Sequence, residues 1–172
     1  MKRTQASVFA ALAFMLLPLS YGRADQIEHN AYVGELLVEH AQIVLPAPGE
    51  PTAAGYLVIW NGKQKEANLA AVESESFATI QIQRTVFEGG DGNADPYGGI
   101  LPIPSQAELI MRPGGVYLEL KDPTEKLSAG ETLNLTVVFY DGQRLTADAA
   151  ILAPGAQLVD HHHAKADRLS SG

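Results

Sequence analysis

The sequence predicts an all-β protein, an antiparallel β-sandwich of about eight short strands. Apolar and polar residues alternate with a period of two in several segments, as they do in half-buried strands. The chain contains 16 Gly and 10 Pro, and turn-forming pairs separate these segments at the spacing typical of sandwiches and barrels. The hydrophobic fraction of 46% in 172 residues is enough for the core of one domain.

The first half of the chain contributes four predicted strands. They span residues 36–43, 54–60, 69–74 and 79–87. The second strand stops at Asn61-Gly62, a turn pair, and the fourth alternates Ile80 and Ile82 with polar Gln83. Each of these segments therefore predicts a strand with one apolar and one polar face.

The second half contributes the other four strands. They span residues 107–111, 116–120, 133–140 and 144–152. In the strand 116–120 we expect Val116, Leu118 and Leu120 to point inward and Tyr117 and Glu119 to point outward.

The last two predicted strands form a hairpin. In the strand 133–140 the apolar residues fall on one face, namely Leu133, Leu135, Val137 and Phe139. Asp141-Gly142 separates this strand from the next. Such a pair favours a type I′ turn, in which both central residues have a positive φ.

Two segments lack this alternation. Residues 88–99 contain five glycines and are predicted to be a long polar loop. Residues 156–172 are polar without periodicity and are predicted to be a disordered tail that contains histidines. The predicted β-sandwich domain therefore comprises residues 25–155.

The first 24 residues have the three-part pattern of a secretory signal peptide. Lys2 and Arg3 precede an apolar run, and Gly22 and Ala24 are the small residues of a cleavage site. The apolar run is short for a membrane helix. We therefore expect cleavage after Ala24, a periplasmic or secreted protein, and no membrane span after cleavage. No cysteine follows the run, so we expect no lipid anchor.

Composition excludes several classes of function. The chain has 12 basic and 20 acidic residues, a net charge of -8, which argues against binding to nucleic acid or to anionic membranes. It has no cysteine, which excludes disulfides, cysteine zinc sites and thiol nucleophiles. No nucleophile elbow, P-loop or dinucleotide fingerprint is present, so we do not expect an enzyme.

Several motifs resemble those of the periplasmic copper chaperones called PCu(A)C, or PCuAC. Residues 52–61 (TAAGYLVIWN) are similar to the family's "AAYLTIxN". Further matches follow in the family's order at residues 69–74, 112–115, 126–131 and 133–140. The resemblance covers roughly residues 36–152. It implies a cupredoxin-like or Ig-like β-sandwich and copper binding or delivery to a client protein of the bacterial envelope.

The resemblance fails at the family's metal ligands, which follow the pattern H-x10-M-x21-H-x-M. Gln83 stands where the first His is expected, and Tyr117 and Glu119 stand where His-x-Met is expected. The remaining Met position falls near Asp95. Cu(I) prefers thioether and imidazole ligands, whereas oxygen ligands suit Ca²⁺, Mg²⁺ or no metal. We therefore expect no Cu(I) chemistry here, with an oxygen site for Ca²⁺ around Asp95 and Glu119 as an alternative.

The densest group of metal ligands lies in the tail. Asp160, His161, His162 and His163 are adjacent, and such a group can chelate divalent metals, with Cu(II) favoured by the general affinity order. The alternative is a solvated tail without a metal.

The two other histidines of the predicted mature chain lie near its start. His29 is expected to be exposed, and His40 is expected on the surface of the first strand. His40 can join a site only if the fold brings it near Tyr117 or Gln83.

Two functions are consistent with the sequence. One is an exported copper-chaperone-like protein whose usual His and Met ligands are replaced. The other is a non-metal β-sandwich that serves as a binding or assembly module of the cell envelope.

Overall fold

A computed structural model describes residues 32–159, and this part of the chain is all-β. Ten strands follow one another: β1 (Leu36–Val44), β2 (Ala53–Asn61), β3 (Ala67–Glu73), β4 (Phe77–Glu88), β5 (Asp91–Pro96), β6 (Leu101–Ile103), β7 (Ala107–Ile110), β8 (Val116–Pro123), β9 (Thr132–Phe139) and β10 (Arg144–Leu152). Eight of them correspond to the eight predicted strands. Within residues 32–159 there is no helix with the length and hydrophobicity that a membrane span requires.

The strands pair in the order β5-β4-β8-β2-β1-β10-β9-β3-β6, and β7 adds to β2 outside this path. All neighbours are antiparallel except β1 and β10, which are parallel with Gln42 opposite Ala150. The fold is a sandwich whose inner faces enclose a single hydrophobic core. This confirms the predicted class.

Strand β2 is shared by two partners on one of its sides. Its other side pairs with β1 from Ala54 to Asn61. Its first residues, Ala53 to Gly55, pair with β8, and its last residues, Val58 to Asn61, pair with β7. A Cβ atom on Gly55 would lie 3.0 Å from Leu120 Cδ1 and 3.1 Å from Leu118 Cβ. The absence of a side chain at Gly55 therefore allows β8 to pack closely at this point.

The predicted inward faces are the buried ones. Leu135 and Val137 of β9 have no exposed surface, and Phe139 has 2%. Leu118 and Leu120 of β8 are likewise fully buried. Because burial of a large apolar side chain stabilises the fold by about 1.5–3 kcal/mol, these alternating positions fix the register of β8 and β9.

The predicted polar loop at residues 88–99 is wrong, since it contains strand β5. Strands β4 and β5 form a hairpin with a turn at Gly89-Gly90, and both glycines have a positive φ. Nearly all residues of β5 are exposed, so the strand has no apolar alternation by which it could be recognised. Strand β6 was also missed, because three residues are too few to show a period.

The predicted turn type between β9 and β10 is also wrong. The hairpin itself is present, with Arg144 opposite Val138. However, only Gly142 of the Asp141-Gly142 pair has a positive φ, whereas a type I′ turn requires both. The connection is longer than two residues, because β9 ends at Phe139 and Phe139 N donates to Gln143 O at 2.8 Å.

A buried asparagine fixes the end of β2. The Asn61 side chain is fully buried. Its Nδ2 lies within hydrogen-bond distance of three main-chain oxygens, those of Lys65 (3.0 Å), Ile103 (2.9 Å) and Pro104 (3.0 Å), and its Oδ1 accepts from Lys63 N at 3.1 Å. The side chain thus joins the turn after β2 to the end of β6.

We predict that Asn61→Ala lowers the free energy of unfolding by about 1–3 kcal/mol, because it leaves buried carbonyl groups without a donor. Asn61→Asp should cost at least as much, since a carboxylate cannot donate to these carbonyls. Urea denaturation of the three proteins measures the effect. An Asn61→Ala protein as stable as the wild type would contradict the assigned role.

Candidate metal site

Three of the four residues that the sequence resemblance aligns with ligand positions lie together on one face of the sheet. Gln83 of β4 is directly opposite Tyr117 of β8. Glu119 is two residues after Tyr117 and therefore shares its face. This face is opposite to the one that buries Leu118 and Leu120 in the core. We refer to Gln83, Tyr117 and Glu119 as the polar cluster.

The polar cluster is closed by its own hydrogen bonds. Gln83, only 4% exposed, donates through Nε2 to Glu119 Oε2 at 2.7 Å. The same carboxylate oxygen forms an ion pair with Lys121 Nζ at 2.9 Å. The Glu119 charge is thereby balanced by a cation from its own strand. Gln83 Oε1 is buried and has no hydrogen-bond partner among the described residues.

Tyr117 of the polar cluster and its neighbour Tyr56 both have a raised pKa. Burial, and then the charge of Glu119, raise the pKa of Tyr117, while Lys121 opposes this shift. Burial, and then Tyr117, raise the pKa of Tyr56 on the neighbouring strand β2. Both phenols are therefore neutral at pH 7, and neither supplies an anionic oxygen to a metal.

The structure does not bring Asp95 into the cluster. Asp95 of β5 is directly opposite Arg84, one residue beyond Gln83, and so belongs to the other face of the hairpin. Its Oδ2 accepts from Arg84 Nε at 2.8 Å and lies 2.6 Å from Nη2. The alternative oxygen site around Asp95 and Glu119 is thus not assembled. Residues 32–159 contain no group of three or more His, Asp or Glu placed to hold a metal.

His40 lies in a separate cavity on the sheet surface. His40 and Gln42 of β1 line this cavity together with Tyr56 and Val58 of β2. His40 is opposite Val58, Tyr56 is opposite Gln42, and none of the polar cluster lines this cavity. The remaining predicted ligands, Asp160 and His161 to His163, lie outside the described residues, as does His29.

Comparison with known proteins identifies the scaffold. The sequence profile of the LpqE-like lipoprotein family matches residues 36–151. The apo PCuAC domain from PmoF1 is 32% identical, with a TM-score of 0.58, over 71% of this chain and 97% of that domain. This chain belongs to the LpqE-like family and has the PCuAC fold.

Other PCuAC structures show the same fold. The copper-bound PCuAC domain from PmoF2 is 27% identical with a TM-score of 0.57, over 71% of this chain and 96% of that domain. The Cu(I) form of DR1885 from Deinococcus radiodurans is 22% identical with a TM-score of 0.55, over 70% of this chain and 78% of that protein. No curated protein sequence matches this chain.

The polar cluster does not fit the copper of its PCuAC relatives. It offers an amide, a carboxylate and a neutral phenol, which are hard ligands, whereas Cu(I) prefers sulfur and imidazole. A cation entering the cluster would also meet Lys121 beside the carboxylate that has to bind it. Sequence reasoning missed Lys121, although its position two residues after Glu119 places both side chains on one strand face.

We predict that a chain truncated after Gly155 does not take Cu(I) from a strong Cu(I) chelator. The truncation keeps all ten strands, since β10 ends at Leu152. Competition titration with a chromogenic chelator measures this. As a positive control, Gln83→His combined with Tyr117→His and Glu119→Met restores three soft ligands and should gain Cu(I) affinity. Stoichiometric Cu(I) binding by the truncated wild-type sequence would overturn the prediction.

We also predict that Tyr117 titrates above the usual tyrosine pKa of about 10. Because the folded protein then retains the proton longer than the unfolded chain, the free energy of unfolding falls as the pH rises above about 10. Tyr117→Phe should remove a component that ionises at high pH, the late component, from the tyrosinate absorbance titration. The free energy of unfolding of this variant should also decrease less steeply with pH. Tyr140→Phe, at a 73% exposed tyrosine, is the matched control and should leave the late component in place.

Proposed function

We propose that this protein is an exported copper-binding protein that takes up copper through Asp160 and His161 to His163 rather than through the PCuAC pocket. The observation that carries this proposal is the closed polar cluster. In this cluster the Glu119 carboxylate already accepts a hydrogen bond from Gln83 and forms an ion pair with Lys121. If a protein with this scaffold handles copper, the ligands have to come from elsewhere. The three adjacent histidines are the densest group of nitrogen ligands in the chain.

The relatives and the ligand chemistry support copper over other cargo. A PCuAC domain with 27% identity has been solved with copper bound. Three imidazoles and one carboxylate suit Cu(II), which binds nitrogen and oxygen ligands more tightly than the other divalent metals of its row. The net charge of -8 gives the protein a field that attracts cations.

The site of action follows from the predicted signal peptide at residues 1–24. We place the protein in the bacterial periplasm or outside the cell, with cleavage after Ala24. Its client would be a copper protein of the envelope. It would act as a carrier and not as an enzyme, because no nucleophile or acid–base pair is assembled at the polar cluster.

A non-metal function is the second candidate. A binding or assembly module that kept the sandwich would need no ligands, and the replacement of the family's soft ligands favours it. The two functions differ in one property, the affinity of the full chain for copper at neutral pH.

We predict that replacing His161, His162 and His163 by alanine removes most Cu(II) binding and leaves the thermal unfolding midpoint unchanged, since these residues follow the last strand. Isothermal titration with Cu(II) and thermal unfolding measure the two properties. Imidazole has to be neutral to bind a metal, so the affinity of the wild-type protein should fall as the pH drops below about 6.5.

The matched control is His29→Ala, which removes an imidazole outside the tail and should leave Cu(II) binding intact. Binding that survives the triple change would place the metal elsewhere. A wild-type protein that binds no Cu(II) at neutral pH would instead support the non-metal module.

A further inference from the structure

Two side chains on the outer face of the sheet are buried although they do not belong to the core. Val58 of β2 is 4% exposed and Gln42 of β1 is 8% exposed, and neither is part of the core cluster. Successive residues of a strand point to opposite faces, and Leu57, next to Val58, is a core residue. Leu158 and Val159, which follow β10, lie against this part of the outer face. The face is therefore enclosed here rather than open to solvent.

The enclosed space is a cavity of about 250 Å³. Three strands contribute to its wall, since His40 is directly opposite Val58 and Val58 is directly opposite Ile110. Much of the remaining wall is apolar and includes Met111 and Leu158. A cavity of about 150 Å³ can hold a benzene ring. This cavity therefore accommodates a single ring or a short aliphatic chain together with one small polar group.

Gln42 provides a hydrogen-bond donor at this cavity. Its Oε1 accepts from Val159 N at 3.2 Å, and this bond fixes the orientation of the amide because only the oxygen can accept. Its Nε2 donates to none of residues 32–159. A buried donor without an acceptor is costly, and the Gln42 side chain is buried. The amide nitrogen is therefore available to a ligand in the cavity.

Arg112 provides a positive charge at the same cavity. Its backbone is anchored by a hydrogen bond from Arg112 N to Val116 O at 2.9 Å. Among residues 32–159 its guanidinium group forms no ion pair, whereas Arg84 and Arg144 each pair with a carboxylate. The described residues that line the cavity include no carboxylate. The charge of Arg112 is therefore available to an anion.

We propose that this cavity binds a small carboxylic acid that carries an apolar group. A guanidinium group binds a carboxylate through two parallel hydrogen bonds, and the Gln42 amide provides a further donor to the same ligand. The apolar wall favours an acid with a ring or a short chain over an inorganic anion, because burial of the apolar part adds binding free energy. The proposal uses neither Asp160 nor His161 to His163, so it is independent of the proposed copper function.

The test is a titration of the full-length protein with phenylacetate, followed through the amide NMR signals. We expect saturable shifts of the amide signals of Gln42, Val58 and Arg112. The amide of Gly142, in the turn between β9 and β10, should stay unchanged as a reference. The protein has a net charge of -8 and does not attract anions in general, so a saturable response reports a specific site. The lack of such a response at the three amides would overturn the proposal.

Two further probes examine the class of ligand. Phenethylamine has the same ring with a positive charge, and inorganic phosphate has a negative charge without an apolar part. Both should bind at least about tenfold more weakly than phenylacetate, because the amine lacks the charge-assisted hydrogen bonds and phosphate lacks the apolar contact. An amine that binds as tightly as phenylacetate would contradict recognition of a carboxylate. Phosphate that binds as tightly would contradict the role of the apolar wall.

Substitutions identify the groups that bind the carboxylate. Arg112→Gln should weaken phenylacetate binding about 10–100-fold, the effect of losing a hydrogen bond between charged groups. Arg144→Gln changes the charge equally at an arginine that pairs with Glu73, so it is the matched control and should bind like the wild type. Gln42→Glu keeps an acceptor for Val159 N but replaces the amide donor by a negative charge, and it should also weaken binding.

Thermal unfolding of each variant separates a loss of binding from a loss of folding. Arg112 is exposed, so Arg112→Gln should unfold at the temperature of the wild type. If this folded variant binds phenylacetate as tightly as the wild type, the proposal fails. If Gln42→Glu does not fold, the comparison of Arg112→Gln with Arg144→Gln decides the question alone.

Discussion

The shared edge of strand β2 is the constraint on which the rest of this structure depends. One side of β2 is paired with β1, so two strands, β8 and β7, have to divide the other side between them. Gly55 makes the first half of this division possible because any side chain there would contact Leu118 and Leu120. Asn61 is the last residue of β2 that pairs with β7, and its side chain donates hydrogen bonds to the main-chain oxygens of Ile103 and Pro104. The division places the polar cluster beside one half of β2 and the cavity beside the other.

The Glu119 carboxylate shows how a PCuAC fold accommodates polar residues on the outer face of β4 and β8. A buried glutamine and a carboxylate on neighbouring strands would each be costly alone, since a polar group removed from water needs a partner. The Gln83 amide group donates to Glu119, Lys121 balances the charge of this carboxylate, and only Gln83 Oε1 lacks a partner among the described residues. The Glu119–Lys121 pair is partly exposed, so its own contribution to stability is small. The network therefore provides partners for buried polar groups and adds little to the stability of the domain.

Much of the fold could be predicted from the sequence, because strands such as β8 and β9 bury alternate residues and such burial produces a period of two. Strand β5 could not, since its residues are held by backbone pairing with β4 and nearly all of them are exposed. The same hidden strand explains why Asp95 was placed with the candidate ligands. Counting along the sequence gives its position but not its face, and only the register with Arg84 shows that it points away from Gln83. The cavity at His40 could not be predicted either, because it depends on where the chain returns after β10.

The charges of the polar cluster and of the cavity beside Tyr56 bear on where a cation can bind. In the polar cluster the charge of Glu119 is already balanced by Lys121 at 2.9 Å. A copper ion there would have to displace this ammonium group or remain next to it, and two positive charges at such distances repel each other even in a polar environment. The described residues that line the cavity include Arg112 and no carboxylate. Neither region therefore offers a cation a negative charge that is not already balanced.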